Sequence, residues 1–207
     1  MIRTGLLGGS FNPAHRAHRQ ISLAALAELG LDEVWWLVSP GNPLKSAAGM
    51  APLGARVASA RDAARRAPIR VTAIERELGT RYTIDTLRAL QRRFPRRRFV
   101  WIMGADNLAQ FHRWKDWRAI ARTMPIAVFA RPGYARKAFT SPAMSWLRRY
   151  RVSPGALAAG SRLPMIAWIG FDPDPMSATA LREAEPLWAD RYARSRPRDG
   201  VSGRLID

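Results

Sequence analysis

Two histidines three residues apart, set behind a pair of glycines, are the residues of this sequence best placed to do chemistry. The stretch Gly8-Gly9-Ser10-Phe11-Asn12-Pro13-Ala14-His15-Arg16-Ala17-His18 follows an apolar run, Thr4-Gly5-Leu6-Leu7. It precedes a helical pattern over Gln20 to Leu29. It therefore reads as a turn between a buried strand and a helix. Adjacent glycines let the backbone approach a ligand, and the first N–H groups of the helix point at whatever fills the turn. Such a turn suits a phosphate. A positive helix end and basic surroundings favour neutral imidazoles, and in either protonation state their N–H groups can donate to phosphate oxygens. Two other readings stand beside this one. A metal pair would need a third ligand, and the chain offers no cysteine and one further histidine, His112. Alternatively, the two rings cap the turn structurally. The pattern is neither a Gly-Lys-Ser/Thr phosphate loop nor G-x-G-x-x-G.

A second candidate lies near the other end, in Ser177-Ala178-Thr179-Ala180-Leu181-Arg182. Two hydroxyls, free N–H groups and a guanidinium at a helix start make another phosphate cradle. An ordinary N-cap explains Ser177 equally well. Gly104-Ala105-Asp106 places a carboxylate at a strand end, where it can bond a ribose, help hold Mg²⁺, or simply shape a turn. Of Trp114 and Trp117, one reads as core and the other as a platform for a flat ring. Asn42 and Lys45 sit in a loop where they reach a ligand or serve the turn.

The elements that must position these residues alternate along the chain. Strands are expected at Thr4–Leu7, Glu33–Val38, Ile69–Ile74, Phe99–Met103, Ile126–Phe129 and Met165–Ile169. Helices are expected over Leu53–Ala67, Ile84–Phe94 with Thr83 as its cap, Asp116–Met124, Pro142–Arg151, Ser177–Ala184 and Pro186–Arg194. Glu75–Arg81 reads as loop, Gly104–Asn107 as a strand stop, and the polar tail Ser195–Asp207 as frayed. Short apolar strands alternating with helices predict an α/β fold: one doubly wound, Rossmann-like domain with a mainly parallel sheet, over residues 1–194. Ligands of such sheets bind beyond the C-terminal strand ends. Those ends carry Gly8–His18, Ser39–Lys45, Gly104–Asn107, Arg131–Gly133 and Asp172–Thr179, so the polar chemistry falls where the fold would place a site.

The totals agree with that reading. A length of 207 residues suits one domain, and a 47% hydrophobic fraction is ordinary for a globular chain. Without cysteine there are no disulfides or thiolate metal sites. No apolar run nears the ~20 residues of a membrane span, and no signal-peptide core precedes the first strand, so a soluble cytoplasmic protein is expected. The net charge of +18 favours polyanionic partners. Its arginines are spread widely, including Arg96-Arg97-Arg98, and are not interleaved with aromatics as a nucleic-acid face requires. They read as a solvated basic surface.

The N-terminal stretch resembles the G-G-[ST]-F-[DN]-P-x-H-x-G-H signature of the nucleotidyltransferase superfamily. Met176-Ser177-Ala178-Thr179-Ala180-Leu181-Arg182 resembles that superfamily's I-S-[SA]-T-x-[IL]-R motif. Between them, Pro40–Lys45, Tyr82–Leu87, Gly104–Asn107 and Trp114 are similar to the bacterial nicotinate-nucleotide adenylyltransferases, and the resemblance runs from about Arg3 to Trp188. It implies transfer of the adenylyl group of ATP to nicotinate mononucleotide, with Mg²⁺ held mainly by substrate oxygens. It implies catalytic roles for His15, His18 and Arg182. ATP contacts would come from Gly8, Gly9, Ser10, Phe11, Lys45, Gly104, Ser177 and Thr179, and mononucleotide contacts from Asn42, Thr83, Asp106, Trp114 and Lys115. The partners implied are these small substrates, with no membrane and no specific nucleic acid; a homo-oligomer is left open. Ala17 replaces the motif's second glycine, and Met176 its isoleucine. A phosphopantetheine or nicotinamide mononucleotide adenylyltransferase shares the terminal motifs, and a basic nucleic-acid-binding protein would account for the charge while leaving both motifs unexplained.

Overall fold

A computed structural model describes residues 1–41, 49–160, 162–172, 174 and 176–206. Six strands, β1 (Ile2–Gly9), β2 (Glu33–Val38), β3 (Ile69–Thr72), β4 (Arg97–Gly104), β5 (Ile126–Phe129) and β6 (Ile166–Ile169), form one sheet in the order β3-β2-β1-β4-β5-β6. Every neighbouring pair is parallel. This is the doubly wound order expected from the alternating pattern. The chain reverses its direction of travel across the sheet between β1 and β4, so the crevice for a ligand opens above those two strands.

Helices cover both faces, which is why the strands are apolar without alternation. Leu6, Trp35 and Trp101 enter one core, while Leu7, Trp36 and Ile102 enter the other. Helix α1 (Arg16–Leu29) starts four residues before the Gln20 of the apolar pattern. Its opening turn is fixed by His15 and His18 themselves, not by apolar spacing. Helix α2 (Leu53–Ala64) stops short of the expected Ala67, and β3 ends at Thr72, short of Ile74. Ile74 instead begins a short helix, α3 (Ile74–Leu78), where a loop was expected. Thr72 Oγ1 accepts the Ile74 N–H at 3.0 Å and so turns the chain into it, and Gly79, at φ +64°, ends it. Helix α4 (Thr83–Arg93) has Tyr82 as its N-cap, without a side-chain bond, so Thr83 lies inside the helix and does not cap it.

Gly104 both closes β4 and caps α5 (Ala105–Gln110), so the expected strand stop continues at once as a helix. Helix α6 (Trp117–Thr123) follows. Two short helices, α7 (Ala135–Phe139) and α9 (Pro154–Ala159), carry too few turns to leave a periodic signal. Between them, α8 (Pro142–Leu147) passes into a 3₁₀ turn, Arg148–Tyr150. Helix α10 (Ala178–Ala184) is capped by Ser177 as read from the sequence, whereas the helix expected from Pro186 is a 3₁₀ turn, Trp188–Tyr192.

The polar tail is docked, not frayed. Asp199, buried, accepts from Thr72 Oγ1, Ala73 N, Val201 N and Ser202 N. Gly200 N–H donates to Val71 O at 2.8 Å, and Ile206 is 4% exposed. A Cβ on Gly200 would fall 2.7 Å from Val71 O, so only glycine lies this close to β3. At the opposite edge Arg151 bridges to Ile166 of β6, and Val152 N–H donates to Ile166 O at 3.0 Å. At the N-terminal end of the strands, Glu33 accepts from Arg70 Nε at 2.7 Å, Trp35 Nε1 at 2.7 Å, Thr4 Oγ1 and Arg97 Nη1. Arg97 therefore turns inward, over the Trp35 ring, while Arg96 and Arg98 face solvent.

Candidate active site

The glycines of the opening motif belong to β1 rather than to the turn. A Cβ on Gly8 would lie 2.7 Å from Trp101 Cη2, and one on Gly9 would lie 3.2 Å from Phe11 Cε2. Their small size lets the tryptophan of β4 and the following phenylalanine close on the strand end. The left-handed conformation falls instead on Phe11, at φ +46°, an uncommon place for a bulky residue. Its ring is buried, stacks on Trp36 at 5.0 Å and 17°, and meets the His18 ring at 4.7 Å. Expected among the ATP contacts, the Phe11 side chain is packed inward as a floor under His18.

The two imidazoles lie 3.9 Å apart. The backbone N–H of His15 donates to His18 Nδ1 at 3.2 Å. A neutral imidazole that accepts at Nδ1 carries its proton on Nε2, so the free donor of His18 is fixed. Burial, with Arg131 adding to it and Asp174 opposing, lowers the His15 pKa to about 4. Burial, then His15, then Arg131, hold His18 well below the ordinary histidine range. Both rings are neutral at pH 7, with desolvation as the main cause. His15 Nδ1 is buried and has no hydrogen-bond partner among the described residues.

Gly8, His15 and His18 form one side of a cleft of about 280 Å³, and Gly104, Asp106, Arg131, Asp174 and Met176 also line it. Arg131 Nη1 donates to Asp106 Oδ2 at 2.7 Å, so one oxygen of that carboxylate is engaged. Arg131 follows β5 in an Arg-Pro-Gly turn. From the sequence it was legible as a strand-end residue and nothing more; only the sheet order puts it opposite the histidines.

The two terminal motifs meet. Arg182 Nη1 donates to Asn12 O at 2.7 Å, and its Nη2 donates to Thr179 Oγ1 at 3.2 Å. Ser177 Oγ accepts the Ala180 N–H at 3.2 Å, and Asp174 N–H donates to Gln20 Oε1 at 2.9 Å. The start of α10 is thus fastened to the turn before α1, across 170 residues of sequence.

A second group forms beside the cleft. Trp114 is half-buried, with its ring edge-on to Trp101 at 6.2 Å and to Phe111 at 5.4 Å. Lys115 pairs with Asp85 at 3.1 Å and sits 4.5 Å above the Tyr82 ring. This brings the loop of Trp114 and Lys115 to the start of α4, where Thr83 lies. Trp101, wedged against Gly8, connects the two groups. Asn42 and Lys45 lie outside the described residues. Among the described residues no group of three or more His, Cys, Asp or Glu side chains is placed to hold a metal ion, and no helix is long and apolar enough to cross a membrane.

Residues 6–184 match the family described as cytidylyltransferase-like. A relative from Erythrobacter litoralis, named "Probable nicotinate-nucleotide adenylyltransferase", is 65% identical over 99% of this chain and 94% of its own. One of the same name from Parvibaculum lavamentivorans is 52% identical over 88% of this chain and 92% of its own. Among solved structures, nicotinic acid mononucleotide adenylyltransferase of Plasmodium falciparum complexed with APC aligns at a TM-score of 0.66 and 13% identity, over 88% of this chain and 83% of that one. A structure titled as a putative nicotinate-nucleotide adenylyltransferase from Vibrio parahaemolyticus aligns at 0.53 and 16%, over 93% and 98%. At those identities the structural likeness speaks for the fold alone.

Proposed function

Since the chain belongs to the cytidylyltransferase-like family, and within it to the nicotinate-nucleotide adenylyltransferases, we propose how its residues divide the work of adenylyl transfer. The enzyme transfers the adenylyl group of ATP to nicotinate mononucleotide, giving deamido-NAD and pyrophosphate, in NAD biosynthesis. A phosphate oxygen of the mononucleotide attacks the α-phosphorus as the bond to pyrophosphate breaks. That phosphate is already ionised at pH 7, so the step needs no general base. Catalysis then rests on positioning and on donors aimed at developing charge.

The observation that carries this division is the Arg182–Asn12 hydrogen bond, because it supports reading the two motifs as one triphosphate clamp. His18 Nε2–H donates to the α-phosphate as negative charge shifts onto its oxygens, and Phe11 and the His15 N–H keep the ring turned that way. His15 assists from its side of the cleft. The N–H groups after Gly8, Gly9 and Ser10, together with Gly104, give the nucleotide backbone contacts. Ser177, Thr179 and Arg182 hold the β- and γ-phosphates, with Lys45 assisting. Nicotinate lies against Trp114, its carboxylate near Asn42, Thr83 and the backbone at Lys115, and Asp106 faces the mononucleotide ribose or phosphate. The donor set fits an ion that arrives on ATP better than a resident one. Mg²⁺ bound by triphosphate oxygens and water would lower the charge of the leaving pyrophosphate. The same reading places the protein in the cytoplasm, with small molecules as its partners.

Pyrophosphate release tests the assignment. With ATP and Mg²⁺, nicotinate mononucleotide is expected to support turnover, while nicotinamide mononucleotide and phosphopantetheine do so weakly or not at all. No release with nicotinate mononucleotide would overturn the reading.

A further inference from the structure

Among the described residues Arg56 is the one arginine in the set of fully buried large side chains, at 1% exposure, and it lies on the first turn of α2. No carboxylate among the described residues pairs with it. Its guanidinium is spent on main-chain carbonyls. Nε donates to Ala51 O at 2.9 Å, Nη1 to Ser10 O at 2.8 Å and to Ser39 O at 2.7 Å, and Nη2 to Pro40 O at 3.4 Å. Burying a cation without a counter-charge is costly, and here the cost is offset by the carbonyls that its donors meet. What it gathers is specific: the turn after β1, the loop after β2, and the approach to α2.

One of those contacts fixes a peptide in the turn between β1 and α1. Ser10 C=O and Phe11 N–H belong to the same planar peptide unit and point in opposite directions. Anchoring the carbonyl on Arg56 turns the Phe11 N–H the other way, and that N–H has no acceptor among the described residues. Asn12 ties the same turn to the approach to α2, donating to Gly49 O at 2.8 Å and accepting the Ala51 N–H at 3.1 Å. The planar fork of an arginine can reach carbonyls of three segments at once, which the single ammonium of lysine cannot reproduce.

We propose that Arg56 is a positioning residue for ATP: it sets the peptide plane of Ser10–Phe11 and holds the turn after β1 in register with the loop after β2. This rests on the reading of the cleft as the ATP site. The test is steady-state kinetics of Arg56→Ala and Arg56→Lys, with thermal melting of each and with methylguanidinium added as a rescue agent. In Arg56→Ala, kcat/KM for ATP is expected to fall about tenfold or more, since small misplacements of a positioning group are costly. Methylguanidinium should restore part of that loss and leave the wild type unchanged. Arg56→Lys should melt near the wild type and yet show a raised KM for ATP. Wild-type kinetics in either folded variant overturns the proposal, as does a loss of activity that follows melting alone and resists rescue. If Arg56→Ala does not fold, the lysine variant decides by itself. An inactive wild type would count instead against the reading of the cleft.

Discussion

The six strands run in one direction, so the sheet has a starting end and a finishing end, and the two treat charge in opposite ways. At the starting end Glu33 collects Arg70, Arg97, Trp35 and Thr4. Burial alone would raise its pKa, but the donors from Arg70 and Trp35 and the charge of Arg97 outweigh that and hold it low. Charge there is cancelled inside the protein. At the finishing end the histidines are kept uncharged by burial and by Arg131, His15 Nδ1 has no partner among the described residues, and Arg56 spends a full charge on neutral carbonyls. Part of the polar chemistry at this end is met inside the protein, where Arg131 pairs with Asp106, and part of it, at His15, is left over. One end is satisfied by the fold, while the other keeps an unpartnered group on a residue that lines the cleft, which the proposed function assigns to an anionic ligand.

Breaking the finishing end should cost rate before stability. His18→Ala is expected to lower kcat by ~10²-fold or more, as for loss of a transition-state donor, a loss larger than its missing ring contacts would cause through stability. A near-wild-type kcat would remove His18 from that role. Glu33→Gln should behave in reverse. It leaves Arg97 without its buried counter-charge and should lower unfolding free energy by roughly 3 kcal/mol in denaturant titrations, with kcat/KM at 25 °C unchanged. Loss of activity without loss of stability in that variant would erase the contrast between the ends. Trp114→Ala should raise the KM for nicotinate mononucleotide by about tenfold, from the worth of one stacked ring, and leave the KM for ATP alone.

The last effect, absent at neutral pH, appears on acidification. His15 binds its proton more weakly in the folded chain, near pH 4, than in the unfolded chain, near 6.5. Below 6.5 the unfolded state takes up the proton first. The contribution of His15 is therefore complete above pH 6.5 and is lost as pH falls towards 4. His18, lowered in the same direction, adds to the loss. The pH dependence of stability in this interval should flatten in His15→Ala, and kcat should show no histidine titration between pH 6.5 and 8.

Much of this was legible in the residues. Unbroken apolar strands such as Glu33–Val38 and Phe99–Met103 called for a parallel sheet covered on both faces, and all six strands lie where that pattern put them, within a few residues. The neutrality of the two histidines also followed, although burial rather than the helix end turned out to be its main cause. Contacts remote in sequence were not legible. Arg131 and Arg56 belong to no motif, and each gains its meaning from segments tens of residues away. The helix at Ile74–Leu78 has a related origin. A local rule reads Glu75–Arg81 as loop, while Asp199, more than a hundred residues on, accepts the Ala73 N–H at 2.7 Å and steadies the turn into that helix. The tail failed for the same reason. Its polarity suggested fraying, yet its polar groups are what fasten it.

That tail, with its counterpart at Arg151, bears on how copies of the chain can meet. Exposed outer strands are templates for another chain to extend. Here Gly200 occupies Val71 on β3, and the Arg151–Val152 segment occupies Ile166 on β6. A second molecule could add a strand only by first peeling away its neighbour's own backbone. Self-association through a continuous intermolecular sheet is thereby obstructed on both flanks, and any dimer would have to be assembled from helices and loops. Removal of residues 195–207 would uncover the β3 flank, and slow aggregation in place of simple destabilisation is the behaviour that cut should bring out.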